Sequence, residues 1–197
     1  LGITVMPALQ IQRAFAISKK IKTKFPEIKI IWGGYFPSLH PVTVLKSDYI
    51  DYVLKGHAEF SFIQLIDTLE SKPGAKDLSK IEGLSYKLHG KIFHNPKAEA
   101  IDPDLIPRLP YERVDVNKYL KYATTYLGPR TVAYHSSVGC PFLCGFCAVA
   151  GIYKGKWLGR SAELTAGDII YLKEKYNIGA VEFHDNNFFV SEKRVYD

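Results

Sequence analysis

Cysteine is scarce in this chain of 197 residues: there are three, all between positions 140 and 147. An odd, clustered set excludes the disulfide framework of a small secreted protein, which spreads an even number of cysteines along the chain. Clustered thiols point instead to a metal in a reducing compartment. Long apolar runs are missing too. None reaches the length of a membrane-spanning helix. No signal-peptide pattern stands at the start. Nor is there an excess of acid: the net charge is +6, from 26 basic and 20 acidic residues. The bases are dispersed, with Lys19, Lys20, Lys22 and Lys24 on one expected helix and Lys173, Lys175, Lys193 and Arg194 far downstream. They read as solvated helix faces, and no nucleic-acid partner is expected.

What is present is ordinary globular material, 47% hydrophobic and 23% charged, enough for a sizeable core. Leu1 begins directly in an apolar run, and Asp197 follows a segment that reads as a loop entering a helix. The sequence therefore reads as an internal piece of a longer protein.

The first seventy or so residues alternate strand and helix signals. Ile3 to Met6, Ile28 to Trp32 and Tyr49 to Leu54 read as strands. Gln10 to Phe25 reads as a helix with Ile11, Phe15, Ile17 and Ile21 near helical spacing, and Ala58 to Leu69 as another with Phe62, Leu65, Ile66 and Leu69 on one face. Such alternation implies parallel βαβ units, and ligands of such sheets bind outside the carboxyl ends of the strands. Gly33-Gly34 and Gly56 stand at those ends.

At Lys72-Pro73-Gly74 the alternation breaks. Leu84 to Lys87 and Lys91 to His94 flank a His89-Gly90 turn, which predicts a hairpin. Pro96, Pro103, Pro107 and Pro110 then mark an extended connector. From Thr131 the βαβ pattern resumes. Val132 to Ser136 reads as a strand and residues 139–147 as a loop. Thr165 with Asp168 reads as a capping-box variant opening a helix to about Tyr176, stopped by Asn177 and Gly179. Ala180 to Phe183 is the next strand, with Asp185-Asn186-Asn187 at its end.

The loop reads Gly139-Cys140-Pro141-Phe142-Leu143-Cys144-Gly145-Phe146-Cys147, a C-x3-C-x2-C spacing. Thiolates are the usual ligands of iron–sulfur clusters, and three can hold three irons of a four-iron cube while leaving one open. Gly139 and Gly145 are expected to relieve backbone crowding. Structural zinc is the rival reading, but it asks for paired C-x2-C units and a fourth ligand. His135, the available candidate, lies in the preceding strand. An electron-transfer cluster asks for a fourth cysteine, which is absent.

This motif, with an aromatic residue before its last cysteine and set between a strand and a helix, resembles the radical S-adenosylmethionine superfamily. Trp157-Leu158-Gly159-Arg160-Ser161-Ala162-Glu163 and Phe183-His184-Asp185-Asn186-Asn187-Phe188-Phe189 resemble the segments that follow the cysteines in its cobalamin-binding branch. Gly2 to Met6, Ile31 to Ser38 and Asp51 to Gly56 resemble the later strands of that branch's Rossmann-like cobalamin domain. Ile81 to Tyr86 and Leu109-Pro110-Tyr111 resemble its connector.

The resemblance implies an α/β fold. Residues 1–72 would be the C-terminal part of the cobalamin-binding domain, 73–130 a connector, and 131–197 the start of a radical S-adenosylmethionine partial (β/α) barrel. It implies three cofactors: a [4Fe–4S] cluster on Cys140, Cys144 and Cys147, S-adenosylmethionine and cobalamin. Phe146 would lie beside the adenine, and Asp185, Asn186 and Asn187 where the methionine moiety binds. Gly33 and Gly34 would admit the nucleotide tail of cobalamin. Thr4 and Met6 fall where the family often has a Ser-x-Leu motif lining the same channel. His57 reads as a helix-start or surface residue and not as a cobalt ligand. The implied reaction is methylation of an unactivated centre, with cyclisation or ring rearrangement as the alternative. It calls for a small-molecule substrate, a flavodoxin or ferredoxin as electron donor, and an oxygen-poor cytoplasm.

Overall fold

The computed structural model describes residues 1–71, 77–122, 124–125 and 127–197. The expected break at Lys72-Pro73-Gly74 lies outside the described residues. The chain divides into two units, Leu1–Ala100 and Ile101–Asp197.

In the first unit the elements run β1 (Gly2–Thr4), α1 (Leu9–Lys24), β2 (Ile31–Gly33), α2 (Tyr35–Leu39), α3 (Pro41–Leu45), β3 (Tyr52–Leu54), α4 (Glu59–Glu70), β4 (Leu84–Leu88) and β5 (Lys91–His94). They form one sheet in the order β1-β2-β3-β4-β5. The first three strands are parallel, and β4 and β5 extend the sheet antiparallel. The expected hairpin is thus present, but it belongs to this sheet and not to a separate connector. Its turn has positive φ at both central residues, 49° at His89 and 76° at Gly90, the turn that suits a two-residue hairpin.

The parallel strands are short apolar runs because both faces are covered. Trp32 and Val53 pack with Val5, Ala14, Ile30 and Leu45 in one core. Ile31 and Leu54 pack with Leu65, Ile81 and Leu84 in the other. The inner face of α1 differs from expectation. Phe15 and Ile17 are 40% and 49% exposed, while Ala14 and Ser18 are buried. Small residues let the helix approach the sheet closely enough for Trp32 Nε1 to donate to Ser18 Oγ at 3.0 Å.

The second unit contains α5 (Val116–Tyr122), β6 (Thr124–Thr125), β7 (Gly128–Pro129), β8 (Thr131–Tyr134), β9 (Ser137–Gly139), α6 (Ala148–Tyr153), β10 (Trp157–Gly159), α7 (Ala162–Tyr176), β11 (Ala180–Phe183) and α8 (Glu192–Tyr196). Strands β8 and β11 pair in parallel from Thr131↔Ala180 to Tyr134↔Phe183. Their connection through α7 is the βαβ unit expected of a barrel start. Tyr134, Leu172 and Ile178 form its core with Val116 and Leu120. The cap of α7 is Ser161, whose hydroxyl accepts from Leu164 N at 3.4 Å. Thr165 and Asp168, read as the capping pair, lie inside the helix and are buried. Asn177 ends the helix in the left-handed region, φ 50°. The antiparallel ribbon β9–β10 was not anticipated. Among the described residues no helix is long and apolar enough to cross a membrane.

Candidate functional site

The cysteine loop leaves the carboxyl end of the β8 segment through the β9–β10 ribbon. Gly139 sits at its start with φ +81°, and a Cβ there would lie 2.2 Å from Lys156 O and 3.1 Å from the Tyr153 ring. Only glycine fits. Gly145 differs from its expected role: a Cβ on it would meet nothing within 4 Å. Cys140 N donates to Lys156 O at 3.2 Å, and Cys147 N donates to Cys144 O at 3.0 Å. The three thiols are free, Cys144 exposed and Cys140 and Cys147 partly so. Phe142, Leu143 and Phe146 also face solvent, Phe146 at 94% exposure.

Among the described residues no three His, Cys, Asp or Glu side chains are gathered as they would be round a metal ion. The donor set nonetheless suits an iron–sulfur cube. Three soft thiolate donors lie on one loop whose backbone folds tightly only because Gly139 lacks a Cβ.

Asp185 stands past the end of β11 and turns back toward the start of the ribbon. Ser136 N and Ser136 Oγ each donate to its Oδ1 at 3.1 Å, and Ser136 Oγ also reaches Oδ2 at 3.1 Å. Ser137 Oγ donates to Oδ1 as well. Asn187 O accepts from Trp157 Nε1 at 3.1 Å, and Asn186 is exposed. The residues expected at the methionine end and the root of the cysteine loop are therefore brought together at one end of the β8–β11 pair. Ser136, Ser137, Trp157 and Arg194 take part in this arrangement, and none of them carried an expected role there. The only sequence sign was the polar Ser136-Ser137 pair, where the expected strand ends.

In the first unit a cavity of about 520 Å³ opens at the carboxyl ends of β1, β2 and β3, lined among others by Thr4, Gly33, Gly34, Gly56, Glu59 and Phe62. Gly34 has φ +93° and no room for a Cβ, which would lie 3.0 Å from Thr4 Cγ2 and from Val5 N and O. Ser38 ties two strand-end loops together: its hydroxyl donates to Gly34 O at 2.7 Å and accepts from Gly56 N at 2.9 Å. Met6 is not among the lining residues; its N–H donates to Gln10 Oε1 at 3.0 Å. His57 is buried, with Nδ1 3.7 Å from Glu59 Oε2. The bond from His57 holds the Glu59 carboxyl below its usual range against the opposing effect of burial. A larger apolar groove of about 940 Å³ beside α5 and β8 contains none of the expected site residues.

No family model matches the chain. It is 30% identical over 186 residues, 93% of its length, to an uncharacterised methyltransferase of Pyrococcus horikoshii. It is 29% identical over 168 residues, 85% of its length, to the anaerobic magnesium-protoporphyrin IX monomethyl ester cyclase of Synechocystis. It spans 39% and 32% of the lengths of these relatives. The fold matches the radical S-adenosylmethionine methyltransferase TsrM of Kitasatospora setae with TM-score 0.75 and 18% identity, covering 98% of this chain and 38% of TsrM. It matches the cobalamin-dependent S-adenosylmethionine radical enzyme OxsB with TM-score 0.73 and 21% identity, covering 95% of this chain and 25% of OxsB. The expected resemblance is borne out in the fold and in these likenesses: the chain shares the α/β fold of the cobalamin-dependent radical S-adenosylmethionine enzymes and is similar in sequence to a methyltransferase and to a cyclase.

Proposed function

We propose that the full protein is a radical enzyme that holds a [4Fe–4S] cluster on Cys140, Cys144 and Cys147 and uses cobalamin to methylate a small-molecule substrate. The carrying observation is three free thiols on one solvent-facing loop at the carboxyl end of a parallel strand pair. When bound, these groups supply one-electron cleavage of S-adenosylmethionine to a 5′-deoxyadenosyl radical and a transferable methyl group. The protein's own part is to bind and orient. Three thiolates leave one metal position open to a chelating ligand. Phe146 offers a bare aromatic face for the adenine. Asn186, Asn187 and Asp185 flank the methionine end. Among the described residues Asp185 Oδ2 accepts from Ser136 Oγ alone, so it keeps capacity for an amino group.

In the first unit Gly33, Gly34 and Thr4 give the cavity a wall of backbone and small side chains. Its size suits one arm of cobalamin, such as the nucleotide tail, and not the whole molecule. Met6 lies beyond the end of β1 and does not line this cavity. The reducing electron would come from a flavodoxin or ferredoxin in an oxygen-poor cytoplasm.

The test is reductive cleavage by the full-length protein, reconstituted without oxygen with iron and sulfide. 5′-Deoxyadenosine is the expected product, and Cys144→Ala should abolish it. A fully loaded cluster that yields none would overturn the reading. The 29% identity to a cyclase favours ring closure as the second reading. A product heavier by one methyl group supports methylation, and one that has lost hydrogen without gaining carbon supports cyclisation.

A further inference from the structure

The β9–β10 ribbon leads straight into the first cluster cysteine, yet it is only three residue pairs long, Ser137↔Gly159 to Gly139↔Trp157. A two-stranded ribbon of that length does not hold its own shape in water. Something outside it must fix its base, and one side chain does so. Arg194 reaches across from α8 with Nε donating to Arg160 O at 2.7 Å and Nη2 donating to Ser136 O at 2.9 Å. Nη2 also contacts Ser136 Oγ. Ser136 and Arg160 are the residues just outside the last ribbon pair, and they are themselves joined, Arg160 N to Ser136 O at 2.8 Å. One guanidinium therefore grips both strands at their root.

Three further features serve this grip. Gly159 clears its path, since a Cβ there would lie 3.1 Å from both Arg194 Cδ and Nε. Phe188 and Trp157 flank the guanidinium, with ring centroids 5.3 Å and 5.8 Å from its carbon, which restricts its rotation. Ser136 passes the constraint on to Asp185 through its N–H and hydroxyl. A rigid planar fork can satisfy two carbonyls at fixed spacing, as a lysine ammonium cannot.

We propose that Arg194 is a positioning residue that sets the orientation of the β9–β10 ribbon, and with it Cys140, relative to Asp185. The link to Cys140 as a cluster ligand rests on the function proposed above; the grip on the ribbon does not.

Two measurements on the full-length protein separate these parts. The first is amide hydrogen exchange without the cluster. Arg194→Gln should speed exchange of the amides at 137–140 and 157–160 by about tenfold or more, leave α7 unchanged, and be partly rescued in Arg194→Lys. Exchange within about twofold of the unsubstituted protein would overturn the proposal. If Arg194→Gln loosens α7 as well, Arg194→Lys, which keeps the charge but not the planar fork, should still loosen the ribbon selectively; its failure to do so also overturns the proposal. The second is the electron paramagnetic resonance spectrum of the reduced cluster with and without S-adenosylmethionine. At equal iron content Arg194→Gln should alter the change on adding S-adenosylmethionine and lower cleavage by about tenfold to a hundredfold, the scale set by small misplacements of reacting groups. An unaltered spectrum and rate at equal loading would sink the positioning role. If the unsubstituted protein takes up no cluster, the function proposed above fails while hydrogen exchange still decides the grip.

Discussion

Tyr134 donates its hydroxyl to Asp168 Oδ2 at 2.8 Å, joining the inner end of β8 to the middle of α7. Asp168 is the hub of the second unit. Its other oxygen accepts from Arg108 Nε at 2.6 Å, and Arg160 Nε lies 3.4 Å from Oδ2. Arg160 Nη1 then donates to Pro103 O and Ile106 O, at 2.6 and 2.9 Å. One carboxylate thus fastens the proline-rich stretch, the end of β10 and the parallel strands together.

Asp168→Ala should therefore destabilise by about 3–5 kcal/mol, the cost of stripping the partner from a buried charge. Most of that comes from Arg160, which is 9% exposed. Arg108 has a side chain 41% exposed and contributes little. Urea unfolding measures it. A loss below about 1 kcal/mol would mean that the Arg160 charge is satisfied by its contacts to Pro103 O and Ile106 O without Asp168.

The same pair makes stability depend on alkaline pH. Burial, and then the bond to Asp168, raise the Tyr134 hydroxyl well above its ordinary value of 10.0. Burial raises Tyr111 as well. With the folded pKa raised, the folded state keeps protons that the unfolded chain has released. The contribution is whole below about pH 10 and is lost as pH climbs toward the folded value. Unfolding free energy should fall as pH rises above about 10, and Tyr134→Phe should flatten part of that slope. Equal slopes in the two proteins would show that Tyr134 is not the group responsible.

The sequence made the βαβ units of both halves, the hairpin and the cysteine loop legible, because each rests on a local signal: apolar periodicity, a His-Gly turn, or ligand spacing. Contacts between distant segments stayed hidden. The hairpin was read correctly, but its attachment to β3 depends on pairing Tyr52 with Tyr86, which no local pattern encodes. Thr165 and Asp168 had the right spacing for a cap, yet Ser161 serves because the helix begins a turn earlier, and Asp168 is instead drawn inward by two arginines and a tyrosine. Arg194 read as one base among many. Its role comes from the distance its guanidinium crosses to Ser136 and Arg160.

The two glycines of the cysteine loop should behave oppositely. At Gly139 an alanine needs φ +81° and collides with Lys156 O. Such strain costs on the order of 1–3 kcal/mol or forces the ribbon apart. Gly139→Ala should lose most of its iron on reconstitution. Gly145→Ala, with nothing near its Cβ, should load normally. Iron and sulfide analysis of the two variants side by side decides this, and equal loading would show that the ribbon does not control the ligands.

A parallel contrast at the other site separates folding from binding. Gly34 needs φ +93° and is hemmed in by Thr4 and Val5. Gly34→Ala should therefore destabilise the first unit by about 1–3 kcal/mol, whatever it does to a ligand. At Gly33 an added Cβ would meet only Leu54 O, at the ordinary distance of 3.8 Å, and the remaining space around it opens on the cavity. Gly33→Ala should unfold at nearly the same urea concentration as the unsubstituted protein, yet bind hydroxocobalamin at least about tenfold more weakly, a loss of roughly 1.4 kcal/mol. Absorbance titration of the full-length protein reads the affinity. Unchanged affinity in Gly33→Ala would mean that cobalamin does not approach the carboxyl end of β2, and the cavity between the strand ends would have to serve another ligand.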